Sequence, residues 1–186
     1  IKDIVAYLKL LQNRQDEVAL LRVINMPPRG IGEKTVDFVV QQARRQERTI
    51  WDCLTAESDG DNLQSRGRSG LVQFRDIILR LERLAGQEPL GSLLEKVYAL
   101  SGYRQFLAES SEPDAETRKE NILELLQLAA EHEREGGNLG TFLDRVALVN
   151  EGDTVQGAGR VSLMTLHGAK GLEFDIVFMV GMEEEL

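Results

Sequence analysis

The chain has 186 residues, 42% of them hydrophobic and 28% charged, which is enough to bury a sizeable core in one domain or two. No apolar run approaches the ~20 residues a membrane span requires, and the single cysteine, Cys53, gives neither a disulfide nor a metal cluster, in keeping with a reducing cytoplasm. The net charge of −9 is unevenly spread: residues 1–80 carry 13 Lys/Arg against 11 Asp/Glu and residues 81–186 carry 9 against 20, so a polyanion is tolerated by the first half and repelled by the second.

Ile1, Ile4, Val5, Leu8 and Leu11 recur at helical spacing and predict a helix over 1–13. An isoleucine is an unusual natural start, so the chain is expected to be a segment of something longer. Asp16 is placed to cap a second helix running to Asn25, with Val18, Leu21 and Ile24 turned inward, until Pro27 and Pro28 end it. A third helix is expected from Glu33 to about Gln46 and a shorter one over 50–56. Residues 57–69, ESDGDNLQSRGRS, have no apolar period and read as a surface loop. Leu71, Phe74, Ile77, Ile78, Leu81 and Leu84 mark a long amphipathic helix. Two more follow over 90–101 and 103–109, broken at Gly102. The next opens at 113–115, buries Ile122, Leu125, Leu126 and Ala129, and stops at Gly136 and Gly137; the last covers 139–150. A linker, EGDTVQGAG, occupies 151–159. Beyond it VSLMTLH and DIVFMVG are short, β-branched and apolar, the pattern of buried strands. The fold class is therefore mainly α: an all-helical body with a short C-terminal β segment that opens a separate, incomplete α/β layer.

Two segments carry chemistry. Residues 26–35, MPPRGIGEKT, join two predicted helices. Gly30 and Gly32 flank Ile31, which can tuck into the core while the backbone turns. The N–H groups of Gly32 and of the next helix's first turn then face outward, where the helix dipole favours an anion. Arg29, Lys34 and the Thr35 hydroxyl stand beside them. This is a phosphate-binding arrangement of the helix–hairpin–helix kind, which holds a duplex backbone and reads no bases. The alternative is a plain interhelical turn. The second segment is strand, HGAKGLEF, strand. Gly168 and Gly171 permit close backbone approach, Lys170 offers a point charge, and Thr165 and His167 sit at a strand end, where open α/β sheets place ligands. The alternative there is a strand pair with a glycine turn and a core histidine. No GxxxxGK[ST] phosphate loop occurs anywhere in the chain.

The string LMTLHGAKGLEF at 163–174, continued by DIVFMVGMEE, resembles motif V of superfamily 1 DNA helicases of the UvrD/Rep type. IKDIVAYLKLL at the start and PPRGIG soon after it are similar to the opening of that family's 2B subdomain. Both ends match closely, whereas 50–155 matches mainly in being helical and charged. The resemblance implies that residues 1–155 are a helical 2B-like subdomain. Residues 156–186 would begin the C-terminal part of the RecA-like motor subdomain 2A. It implies a parent that is an ATP-dependent 3′-to-5′ helicase or translocase using ATP and Mg2+, with neither cofactor expected in this piece alone. Thr165 and His167 would touch single-stranded DNA, Glu173 the nucleotide's ribose, and Gly171 would provide the turn beside it. Arg29, Gly30, Ile31, Gly32, Lys34 and Thr35 would contact duplex DNA at a junction. Repair or replication proteins are further expected partners, and no membrane is. After GMEE the family usually has a glycine and an aromatic, so Glu185 and Leu186 depart from its pattern.

Other features read as structural. Arg44, Arg45 and Arg48 form a solvated helix face before a core Trp51, Phe106, Phe142 and Tyr103 are core, and Glu131, Glu133 and Glu135 around His132 are a solvated charge run. A competing function is a helical protein-interaction module without appreciable DNA contact, which the acidic second half would suit.

Overall fold

The computed structural model describes residues 1–55, 65–151, 169, 173–174 and 176–180. Its helices follow the apolar spacing: α1 (Lys2–Gln12), α2 (Glu17–Val23), α3 (Glu33–Gln46), α4 (Ile50–Thr55), α5 (Ser65–Ala85), α6 (Leu90–Leu100), α7 (Tyr103–Glu109), α8 (Ala115–Arg134) and α9 (Leu139–Glu151). The chain divides into two compact units, Ile1–Leu148 and Val149–Leu186.

In the first unit α1 is the central strut. It buries Ile4, Ala6, Tyr7, Leu8 and Leu10, a face too wide for one neighbour, and packs against α2, α5 and α6. Around it Leu20, Phe74, Ile78, Leu81, Leu94, Ile122 and Phe142 close one core. Helix ends fall where local chemistry puts them. The Asp16 side chain accepts the Ala19 N–H at 2.9 Å and caps α2. Gly102, at φ 83°, separates α6 from α7 in the left-handed region that a side chain disfavours. Trp51, Tyr103 and Phe142 are buried and Phe106 is half-buried, in line with their reading as core.

Two expectations are corrected. Val18 and Leu21 do not face inward: Val18 is 82% and Leu21 39% exposed, and α2 instead buries Ala19, Leu20 and Val23, with Ile24 just beyond. The segment holds two overlapping apolar stripes. The one at 20, 23 and 24 has the full i, i+3, i+4 spacing and wins the contact with α1. Likewise, residues 65–69 of the expected loop are the first turns of α5. Gly67, inside the expected loop, and Gly70, just after it, sit where a helix must come close to its neighbour. A Cβ on Gly67 would stand 2.6 Å from the Thr35 hydroxyl oxygen, and one on Gly70 would stand 2.5 Å from the Arg29 carbonyl oxygen and 2.7 Å from Ile31 Cγ1.

In the second unit the described residues beyond the end of α9 carry no regular secondary structure. Ile176–Val180, the described part of the expected strand DIVFMVG, are exposed and unpaired with any described strand. A strand exists only by sharing its ladder of hydrogen bonds, and an isolated one is not stable.

Candidate nucleic-acid interface

The turn between α2 and α3 is built around one side chain. Asn25 Oδ1 accepts the backbone N–H of Arg29 at 2.7 Å and of Ile31 at 3.2 Å, which bends the chain back on itself after a cis Met26–Pro27 bond. Gly30 takes φ 74° at the crest. Ile31 is 2% exposed and anchors the hairpin in the core, while Gly30 and Gly32 on either side are exposed. Gly32 is the extended N-cap of α3, and its carbonyl accepts the N–H groups of Thr35 at 2.9 Å and Val36 at 3.1 Å. No side chain caps this helix, so within its first turn only the Thr35 N–H is met by the capping residue, through the Gly32 carbonyl. Glu33 and Lys34 are exposed beside them, and Thr35 is half-buried against Gly67 of α5.

Arg29 does not stand with Lys34 at this surface. Its guanidinium turns inward and spends its donors on the protein: Nη1 on the carbonyls of Val23 at 3.2 Å and Pro27 at 2.9 Å, Nη2 on the Tyr7 hydroxyl at 2.6 Å and the Ser101 carbonyl at 2.7 Å. It also lies 6.0 Å above the Tyr7 ring centroid and 5.7 Å above that of Phe74. A rigid planar fork suits several fixed acceptors in different directions, which an ammonium cannot match. Arg29 therefore ties together α1, the hairpin and the α6–α7 junction. Tyr7 completes the tie by donating its hydroxyl to the Met26 carbonyl at 2.8 Å. Burial pushes the Tyr7 phenol up to about 12, partly opposed by the Arg29 charge, so it stays a neutral donor.

The structure thus brings Gly30, Ile31, Gly32, Lys34 and Thr35 to one hairpin, with Ile31 contributing only backbone to any surface. Asn25, Tyr7 and Gly70, which hold that hairpin, had escaped the sequence reading. For Asn25 a signal existed: asparagine ahead of a Pro- and Gly-rich turn commonly bonds the backbone downstream. Nothing local marked Tyr7 or Gly70. Glu173 is exposed; Thr165, His167 and Gly171 lie outside the described residues.

The other charged residues that the sequence singles out are solvated or find partners within the fold. Arg44, Arg45 and Arg48 are exposed, while Trp51 is 4% exposed with Arg14 at 5.8 Å from its ring centroid. Glu133 accepts the Gly91 N–H at 3.1 Å, and Glu135 pairs with Arg145 at 2.9 Å, so the carboxylates around His132 point to separate partners. His132 Nε2 meets the Thr141 hydroxyl at 2.8 Å over Gly137, where a Cβ would collide with the ring. Among the described residues no group of His, Cys, Asp and Glu is placed to hold a metal, and no helix is long and apolar enough to cross a membrane.

Comparison with known proteins identifies the family. The UvrD-like helicase C-terminal domain profile matches residues 1–186. DNA helicase II of Haemophilus influenzae is 36% identical over 192 residues, covering 100% of this chain and 26% of that protein. DNA helicase II of Escherichia coli is 37% identical over 190 residues, covering 99% of this chain and 26% of its own length. The ATP-dependent DNA helicase PcrA of Staphylococcus aureus is 34% identical over 190 residues, covering 100% and 26%. The chain spans about a quarter of the length of these relatives. It belongs to the UvrD-like helicase C-terminal domain family.

Proposed function

We propose that this chain is the accessory, duplex-contacting part of an ATP-dependent 3′-to-5′ DNA helicase, with the hairpin at 29–35 as its DNA contact. The observation that carries this reading is the uncapped start of α3. Exposed glycines bring its backbone N–H groups to the surface beside Lys34, while Ile31, Asn25 and Arg29 hold the turn rigid from behind. Aligned N–H groups and the positive end of a helix dipole attract a phosphate without reading sequence, as a helicase's duplex contact requires. Arg29 acts in this reading through the hairpin it positions. Lys34 faces the phosphate, with Thr35 beside it at the edge where α5 packs.

The family membership supports the rest. Residues 1–155 take the part of a 2B-like subdomain and 156–186 open the RecA-like motor layer, where the expected strands would pair with the remainder of a sheet. There Thr165 and His167 contact single-stranded DNA, while Gly171 and Glu173 approach the nucleotide. Together they couple the state of ATP to the grip on DNA. ATP and Mg2+ belong to the whole motor, and repair or replication proteins are partners of that whole. No hydrolytic step is assigned to residues of this chain.

The test is the binding of a fluorescently labelled duplex–single-strand junction by the 186-residue chain, followed by anisotropy over a salt titration. Weak, salt-sensitive association is expected, and Lys34→Ala should lower the slope of log K against log salt by about one. Salt-insensitive or absent association would favour the protein-interaction reading, for which the exposed Val18 and Leu21 of α2 offer an apolar surface.

A further inference from the structure

With Arg29 turned inward, the hairpin's surface is short of positive charge. The first turns of α3 expose Glu33, Lys34 and Asp37, one cation against two anions, which is a poor match for a duplex backbone. Arg44, Arg45 and Arg48 do not correct this. Arg44 lies 11 residues beyond Glu33 on the same helix, ~16 Å along its axis.

The correction comes from α5. Gly67 sits against the Thr35 side chain and Gly70 against the Arg29 carbonyl and Ile31, at distances where neither position has room for a Cβ. Both glycines are buried, and the residues between them, Arg68 and Ser69, are exposed. The close approach therefore carries Arg68 to the edge of the hairpin. Its Cα is about 3.8 Å from that of Gly67 and ~100° round the helix from it, so Arg68 flanks the contact between α5 and the start of α3, with a long side chain free to turn towards a ligand lying across both. Several arginines here are held by carboxylates: Arg22 by Asp3, Arg104 by Glu95, Arg118 by Asp114 and Glu112, and Arg145 by Glu135. Arg68 makes no ion pair with a described residue.

We propose that Arg68 is a phosphate-binding residue of the duplex surface, standing beside Lys34 and Thr35 in the role that sequence assigns to Arg29. The inference rests on the hairpin reading of the function. It adds that the binding surface is composite, one half from the α2–α3 turn and the other from the first turns of α5. The ligand is the phosphodiester backbone of a duplex, bound without base discrimination.

The experiment compares the wild-type chain with Arg68→Ala, Arg68→Lys and Lys34→Ala, using the same labelled junction and two unrelated duplex sequences across a salt titration. Thermal melting by circular dichroism checks that each variant is folded. Arg68→Ala should weaken binding equally on both sequences and reduce the salt slope by about one, with the slope retained in Arg68→Lys. If Lys34→Ala lowers the slope and Arg68→Ala leaves slope and affinity unchanged, the hairpin reading stands and the composite surface is overturned. If the wild type binds no duplex at low salt, both fall together. An Arg68→Ala loss confined to one sequence would also overturn the proposal, because it would mean base contact.

Discussion

Two basic residues five positions apart, Arg29 and Lys34, end in opposite environments, and their substitutions should separate accordingly. Removing the Arg29 guanidinium leaves the Ser101, Pro27 and Val23 carbonyls and the Tyr7 hydroxyl without their donor. Arg29→Ala should cost about 2–3 kcal/mol in a urea melt, and Arg29→Lys should recover little of it. Lys34→Ala, at an exposed position, should stay within about 0.5 kcal/mol of wild type while weakening duplex binding. Tyr7 adds a pH signature. Its phenol is raised from 10.0 to about 12 in the folded protein, chiefly by burial, so the unfolded chain ionises first as pH rises. The associated stability is complete below pH ~10 and is lost progressively towards pH ~12. Denaturant melts in alkaline buffer should show this decline, and Tyr7→Phe should flatten part of it. Tyr103, which donates to Asp3 at 2.7 Å and is raised in the same direction by burial, accounts for a further part.

Among the elements, α5 shows how a weak local signal is overridden. Glycine inside a helix costs about 1 kcal/mol relative to alanine, so Gly67 and Gly70 argue against the helix they belong to. Their value lies in contact with the hairpin, which no window of neighbouring residues reveals. Gly70→Ala should therefore destabilise by about 1–3 kcal/mol despite its better helix propensity, because the new methyl meets backbone at the Arg29 carbonyl. Gly86→Ala, in the turn after α5 where nothing lies within 4 Å of the added carbon, is the steric control and should change the melting midpoint little. The same logic explains α2. Both of its stripes are apolar, and only the position of α1 chooses Leu20 and Val23 over Val18 and Leu21.

For the whole molecule, charge and the lack of a phosphate loop govern behaviour. The 20 acidic against 9 basic residues in 81–186 repel a polyanion, so duplex affinity should be weak, with a salt slope set by the few cations near the hairpin. The absence of a GxxxxGK[ST] loop from the sequence predicts that the isolated chain has no steady-state ATPase activity, with or without DNA. A phosphate-release assay checks this directly; turnover above background would remove the chain from its proposed place as one part of a larger motor.

Sequence alone determined what depends on near neighbours. The spacing of Ile4, Leu8, Phe74, Ile78, Ile122 and Leu125 marked helix faces, Asp16 marked a cap, Gly102 marked a break, and Ile31 between two glycines marked an anchored turn. Each is a matter of backbone propensity or periodicity within a turn or two. Tertiary structure decided the rest, because it depends on partners remote in the chain. The inward turn of Arg29 depends on a carbonyl 72 residues away, the start of α5 on a hairpin some 35 residues before it, and the buried stripe of α2 on the seat offered by α1. A guanidinium follows the acceptors that folding gathers around it, and a list of basic residues cannot say which of them will face the solvent.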